Sequence, residues 1–408
     1  LNSPDIHEKI NAVRMYEDLK TLAAFGPRNY GAPGDKSSLD FLDEFAQKEG
    51  ITKQHLPCNV FKFTPISSSL YLLAPHTRKI NCLPQDRSGC TPIGGISAEI
   101  VYVGCGRDQD YNGINAHGKL LLMDIWGLHL VKKVTLAHYH GAKGCILINS
   151  HPGGLRCAWG LGERPSPLPA VSVSYEDGQW LRELIAKGYC SVSLNCNVVN
   201  EPGTSEHVLM KLPAKSGASR DTVVLIAHRD TTHISPGAND NASGMAILLE
   251  LTRVFKNHPL AFDLLFLFSA AEEGGGLGVS QLVRDYFQQQ PALPLAVINL
   301  DMVAVGSKLY IVGGDRERRT SPELNNLLRQ AGAALNYHLD DYEMDMGLAD
   351  IEAFIESGVP SAWLFKPDDP RVHTECDLPE YVNPNDLKVV ADIVAAALLR
   401  LKNSDPER

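Results

Sequence analysis

Apolar positions along this chain change their spacing twice. Between Ile6 and Phe25 they recur every three or four residues (Ile10, Val13, Leu19, Leu22), which predicts a helix with one buried face, and Gly26-Pro27 stops it. A second helix is predicted over 37–48, ending at Gly50. From Leu56 to Val199 the apolar runs are short and turns are frequent. Segments 99–103, 119–123, 144–148 and 171–173 read as strands there, with 130–140 as a helix between two of them. Beyond Asn200-Glu201-Pro202-Gly203 strands and helices alternate. The strands are 222–227, 263–269, 295–300, 308–312 and 361–365. The helices are 243–255, 279–288, 322–335, 351–356 and a last one opened by Asn383-Pro384 and running to Lys402.

Strands that are apolar almost throughout belong to a sheet buried on both faces. The expected fold class is therefore α/β, a mainly parallel mixed sheet sandwiched by helices, interrupted by a β-rich unit. The expected division is a discontinuous core of 1–55 and 205–408 with an insert over 56–204.

Composition narrows the function. The 408 residues are 44 % hydrophobic and 21 % charged, enough for two folded units and against wholesale disorder. Lys and Arg number 38 against 48 Asp and Glu, a formal charge of −10. With no basic block, nucleic acid and anionic membranes are disfavoured as partners. No apolar run reaches the ~20 residues of a bilayer crossing, and the stretch 389–401 is broken by Asp392 and Arg400. Eight of the nine cysteines lie between Cys58 and Cys196, and only Cys376 lies downstream. Without a CxxC pair a thiolate zinc knuckle is disfavoured, and the odd count favours reduced thiols, although Cys190 and Cys196 share strand parity. The chain starts at Leu1 without a signal-like segment, and the expectation is a soluble protein, cytoplasmic before secreted. Oligomeric state is left open.

Chemistry gathers where the later strands end. His228, Arg229 and Asp230 follow the strand at 222–227, and Asp240 lies at the entry of the next helix. Glu272 and Glu273 follow the strand at 263–269, Asp301 follows that at 295–300, and His373 lies downstream in Val372-His373-Thr374-Glu375-Cys376-Asp377. Ligands of open α/β sheets bind beyond the carboxyl ends of the strands. Two imidazoles and three carboxylates could hold two divalent ions if Asp240 bridges them, leaving Glu272 as a general base. Nitrogen and oxygen donors without thiolate suit zinc, with cobalt or manganese as substitutes.

Blander readings stand beside this one. A His two positions before an Asp is common by chance, and Glu272-Glu273 can be a solvated loop. The run Gly274-Gly275-Gly276 lacks the Gly-Lys-Ser/Thr ending of a phosphate cradle and has two carboxylates in front of it. Instead it supplies the backbone freedom to turn the glutamates inward. His129, His138, His140, His151, His233 and His338 read as structural. No Gly-x-Ser-x-Gly elbow occurs, and Cys376 reads as a packed or surface thiol. Asn241-Ala242-Ser243 has the form of a glycosylation triplet but belongs to the helix entry.

The block Val223 to Val303 resembles the co-catalytic zinc aminopeptidase and glutamate carboxypeptidase family. The matching residues are His228-Arg229-Asp230, Gly237-Ala238-Asn239-Asp240-Asn241-Ala242-Ser243-Gly244, Glu272-Glu273 and Asp301, with His373-Thr374 downstream. The resemblance implies His228 and Asp301 on one zinc, Glu273 and His373 on the other, and Asp240 bridging. It also implies Glu272 as base and Asp230 as the carboxylate that orients His228. Three positions depart from the family pattern. Arg229 stands where an aromatic or aliphatic residue is usual, Gly278-Val279 replaces Gly-Ser, and Ala349-Asp350-Ile351 replaces Ser-Asp-His. In the middle segment, Gly118-Lys119-Leu120-Leu121-Leu122, Lys133, Ala137, Gly141-Ala142-Lys143-Gly144 and Pro169-Ala170-Val171 resemble a protease-associated (PA) domain. Such an insert can overhang the cleft, making the loop 155–164 either a pocket wall or a solvated loop.

The implied activity is a dizinc metallohydrolase using a hydroxide held between the metals, most simply an aminopeptidase acting on peptides. The alternatives are an amidase or carboxypeptidase on small N-acyl or dipeptide-like compounds, a single-zinc glutaminyl cyclase-like enzyme, and a non-catalytic receptor-like module.

Overall fold

A computed structural model describes residues 3–215, 221–315, 317–344 and 347–401, excluding the side chains of residues 3–5. Asp263–Ser269, Thr222–His228, Ala296–Leu300 and Ser361–Phe365 pair in that order, all parallel. Tyr310–Gly314 adds antiparallel to the last of them and Asp340–Glu343 pairs parallel beyond it. On the other side, the end of the long strand Ser191–Leu212 closes the sheet antiparallel to Asp263–Ser269. Ala12–Ala24, Ser243–Phe255, Pro322–Ala334 and Pro384–Arg400 bury one face of this sheet, and Leu277–Asp285 with Glu352–Glu356 buries the other. Lys402, the expected end of the last helix, lies outside the described residues.

In the insert, Ile96–Tyr102, Leu120–Asp124, Gly144–Ile148 and Ala170–Val173 form a parallel set. Leu130–Tyr139 and Tyr175–Lys187 are its helices, the second of them not expected from the sequence. The insert has an apolar cluster on each sheet face. Cys190 and Cys196 both face one of these clusters, and all nine thiols are free.

Two expectations are corrected. The first helix is broken into Ser3–Lys9 and Ala12–Ala24, because Asn11 caps the second. Its side chain accepts from Arg14 N at 3.0 Å while its own N–H donates to the buried Glu250 at 2.8 Å. The change of pattern at 200–203 marks no boundary between elements, because the strand runs through it. Thr52–Ala74 and Ser191–Leu212 form one antiparallel ribbon in which Pro202 pairs with Phe61. Around Pro202 the ribbon has no third strand among the described residues, so its missing N–H breaks no ladder. No helix among the described residues is long and apolar enough to cross a membrane.

Candidate metal centre

The parallel register places the chemistry on one edge. His228 ends its strand opposite Ser269, so Glu272 and Glu273 leave the neighbouring strand beside it. On its other side, Leu300 ends the parallel neighbour and hands on directly to Asp301. Asp240 sits in the turn Ala238–Ala242 that leads into the helix Ser243–Phe255. His373 reaches the same point from the loop before the last helix, and of these six residues all but Glu272 are buried.

Asp240 stands at the middle. Its Oδ1 is 3.0 Å from His228 Nε2 and its Oδ2 is 2.9 Å from His373 Nε2. Asp301 Oδ1 lies 3.3 Å from His228 Nε2, and Glu273 Oε2 lies 3.1 Å from His373 Nε2. Two donor groups result, His228–Asp240–Asp301 and Asp240–Glu273–His373, each with its donor atoms within 4.8 Å of one another. Glu273 Oε1 and Asp301 Oδ1 are buried without a hydrogen-bond partner. Buried carboxylate oxygens with no donor, converging with imidazole nitrogens, fit cations better than they fit each other. The donor set suits zinc.

Electrostatics agree with that fit. Although burial works the other way, the imidazoles of His228 and His373 hold Asp240 below the usual carboxylate range. Burial holds Glu272 well above that range, with Asp301, Asp350 and Asp230 adding to it and His228 opposing. Glu273 is raised by burial and by Asp240.

Asp230 sits differently from its expected part. His228 Nδ1 meets the backbone carbonyl of Asp230 at 3.0 Å, while the nearest carboxylate oxygen is 4.0 Å away. The Asp230 carboxylate instead accepts the backbone N–H groups of Glu272 at 3.3 Å and Glu273 at 3.1 Å, fixing the turn that carries both. Gly275 and Gly276 close this turn at φ 87° and 73°, a region that glycine enters without strain. Asp350 is buried and accepts from Ser269 Oγ at 2.5 Å, and burial pushes its carboxyl up to about 7. Asn241 is fully buried, its amide donating to Leu300 O at 2.9 Å, so the folded chain presents no glycan acceptor there.

Several supports were not read from the sequence. Asp377 accepts the backbone N–H groups of Asn239 at 2.8 Å and Asp240 at 3.0 Å, and Asn239 in turn donates to Asp369 at 3.0 Å. Burial pushes Asp377 up to about 8. Arg28 fans onto the carbonyls of Arg229, Pro236 and Gly237 at 2.6–3.0 Å, bracing the loop between His228 and Asp240. Ala271, Met302, Ala349 and His373 all have positive φ and flank or belong to the centre. Such conformations cost about 1–3 kcal/mol each and concentrate at functional sites. No sequence signal marks them, whereas Asp377, four residues past His373, was within reach.

Several other histidines have partners away from the centre. His129 caps the helix Leu130–Tyr139, His140 stacks on Tyr111, His151 meets Ser150, His338 meets Asp340, and His233 pairs with Asp86 of the insert. A cavity of about 790 Å³ opens from the centre, lined by Glu272, Glu273 and His373 together with residues 159–164 of the insert. Within the loop 155–164, residues 159–164 thus stand as a wall of the pocket.

Comparison with known proteins agrees with this architecture. Residues 207–398 match peptidase family M28 and residues 96–181 match the PA domain. Aminopeptidase YwaD of Bacillus subtilis is 28 % identical over 401 residues, 95 % of this chain and 84 % of that protein. A probable leucine aminopeptidase 2 of Arthroderma benhamiae is 29 % identical over 291 residues, 67 % of this chain and 56 % of that protein. The solved structure of BSAP, a zinc aminopeptidase from Bacillus subtilis, superposes with a TM-score of 0.74 at 25 % identity, covering 96 % of this chain and 95 % of that one.

Proposed function

We propose that this chain, in which residues 207–398 match peptidase family M28 and residues 96–181 match the PA domain, is a dizinc aminopeptidase removing N-terminal residues from peptides. The observation that carries this is Asp240, whose two carboxylate oxygens each face a different imidazole. His228, Asp301 and Asp240 would hold one ion, and Asp240, Glu273 and His373 the other. Zinc bound there supplies Lewis acidity toward a carbonyl and lowers the pKa of water. The names of the relatives support zinc and N-terminal specificity. The same reading divides the chain into 1–55 with 205–408 and the insert 56–204.

The chain's own residues supply the rest. Glu272 lines the cavity beside Glu273 and takes a proton from the attacking water at its carboxylate, then returns it to the leaving amine. Asp230 keeps Glu272 aimed by holding its N–H. Trp159 and the insert loop cover the centre and limit water.

The test compares hydrolysis of aminoacyl anilides with that of N-acyl amino acids, with and without chelator, alongside zinc counted per chain. Chelator-sensitive cleavage of anilides with two zinc ions is expected. Preference for N-acyl amino acids overturns the end specificity, and one zinc at saturation overturns the dizinc reading.

A further inference from the structure

The two donor groups are supported unequally. His228 and Asp301 stand at the ends of adjoining core strands, and the contact His228 makes through Nδ1 is with the core residue Asp230. Glu273 and His373, by contrast, are both gripped by the insert. Arg87, fully buried, donates from Nη2 to the Glu273 carbonyl at 2.8 Å, from Nε to Gly162 O at 2.5 Å, and from Nη1 to Tyr30 Oη at 3.3 Å. One guanidinium thereby joins the insert, the first core segment and a metal-facing glutamate. Arg87 itself holds φ at 61°, a conformation unusual for a side-chain-bearing residue and maintained only by surrounding contacts.

Next along the insert, Ala158 N donates to His373 O at 2.9 Å, and the Trp159 ring lies 4.0 Å from the His373 ring, centroid to centroid. Gly160 then packs on Glu273 so closely that an added Cβ would fall 2.0 Å from the Glu273 carbonyl oxygen and 2.3 Å from Arg87 Nη2. Three consecutive insert residues and one buried arginine therefore meet the two residues that, with Asp240, form one donor group.

We propose that the PA insert is a structural part of one metal site only: Arg87, Trp159 and Gly160 position Glu273 and His373, so that this site depends on the insert while the His228–Asp301 site does not. This rests on the dizinc reading. Residues that orient metal ligands typically change affinity by roughly 10–100-fold when altered.

The experiment titrates zinc into the metal-free full-length chain and into the Arg87→Ala, Arg87→Lys, Gly160→Ala and Trp159→Ala variants, followed by calorimetry and by cobalt absorption spectra. Circular dichroism checks that each variant is folded. Wild type should bind two equivalents. Arg87→Ala, Gly160→Ala and Trp159→Ala should each keep one equivalent at wild-type affinity and weaken the other at least tenfold, with one set of cobalt bands lost. Arg87→Lys, which keeps the charge and loses the fork of donors, should recover only part of the loss. Two equivalents within threefold of wild type, or equal weakening of both, overturns the proposal. If Arg87→Ala does not fold, the half-buried Trp159 decides the matter by the same two criteria. Only one equivalent in wild type overturns the dizinc reading instead, which keeps the two failures distinct.

Discussion

The guanidinium of Arg229 lies fully buried against the carboxylate of Asp35, joining the residue next to His228 to the helix Pro33–Glu49. Arg229 also donates to Ser205 Oγ at 2.8 Å and to Glu206 O at 2.9 Å. This cation is thus absorbed by the packing behind the centre. Removing Asp35 leaves the charge buried without its partner, which typically costs about 3–5 kcal/mol. Asp35→Ala should lower the unfolding free energy by that order in a urea titration. A loss below ~1 kcal/mol would show that the pair does not brace the strand end.

Glu272 makes a separable prediction. It belongs to neither donor group, yet it lines the cavity beside Glu273. Glu272→Gln should keep its metal content while kcat falls by roughly 10²–10⁴-fold. Near-normal turnover by a fully loaded variant would sink its role as base.

Asp240 differs because it belongs to both donor groups. Asp240→Ala should lose both zinc equivalents, whereas Asp301→Ala should lose one, as read by metal analysis after dialysis. Full occupancy of the Asp240 variant would contradict the bridging assignment. In wild type, prolonged chelation should abolish hydrolysis, and zinc should restore it.

How legible all this was depends on where burial acts. Strands such as Thr222–His228 are buried on both faces, so their apolar runs are unambiguous, and the first polar residue after each marks the functional edge. His228, Asp301 and the two glutamates were legible for that reason. The ribbon of Thr52–Ala74 and Ser191–Leu212 was not, because its exposed and half-buried middle mixes side chains without clean alternation. Pro202 there satisfies its backbone by position in the ribbon, which no local signal announces. Arg87 was invisible for another reason: it meets Glu273, 186 residues away, and only the fold brings them together. Asp230 was found as a site residue, but its carboxylate holds backbone amides instead of the imidazole.

His207 makes the pH dependence of folding testable away from the metal ligands. It is fully buried on the strand Ser191–Leu212, and its Nδ1 accepts the N–H of Ala270 at 3.0 Å, which requires that nitrogen to be unprotonated. Burial, reinforced by the nearby charge of Arg229, lowers its pKa from 6.5 to about 3. In the unfolded chain the ring protonates below about 6.5, while in the folded chain it stays neutral down to about 3. Between those values the unfolded state binds the extra proton, so the stability contributed above pH 6.5 is lost as pH falls. The slope from this one group is at most about 1.4 kcal/mol per pH unit. His207→Gln should flatten the stability profile of the metal-free chain between pH 6 and pH 4 relative to wild type, whatever its effect at pH 7. Urea titrations across that range measure it, and parallel profiles for the two proteins would show that His207 is protonated in the native fold.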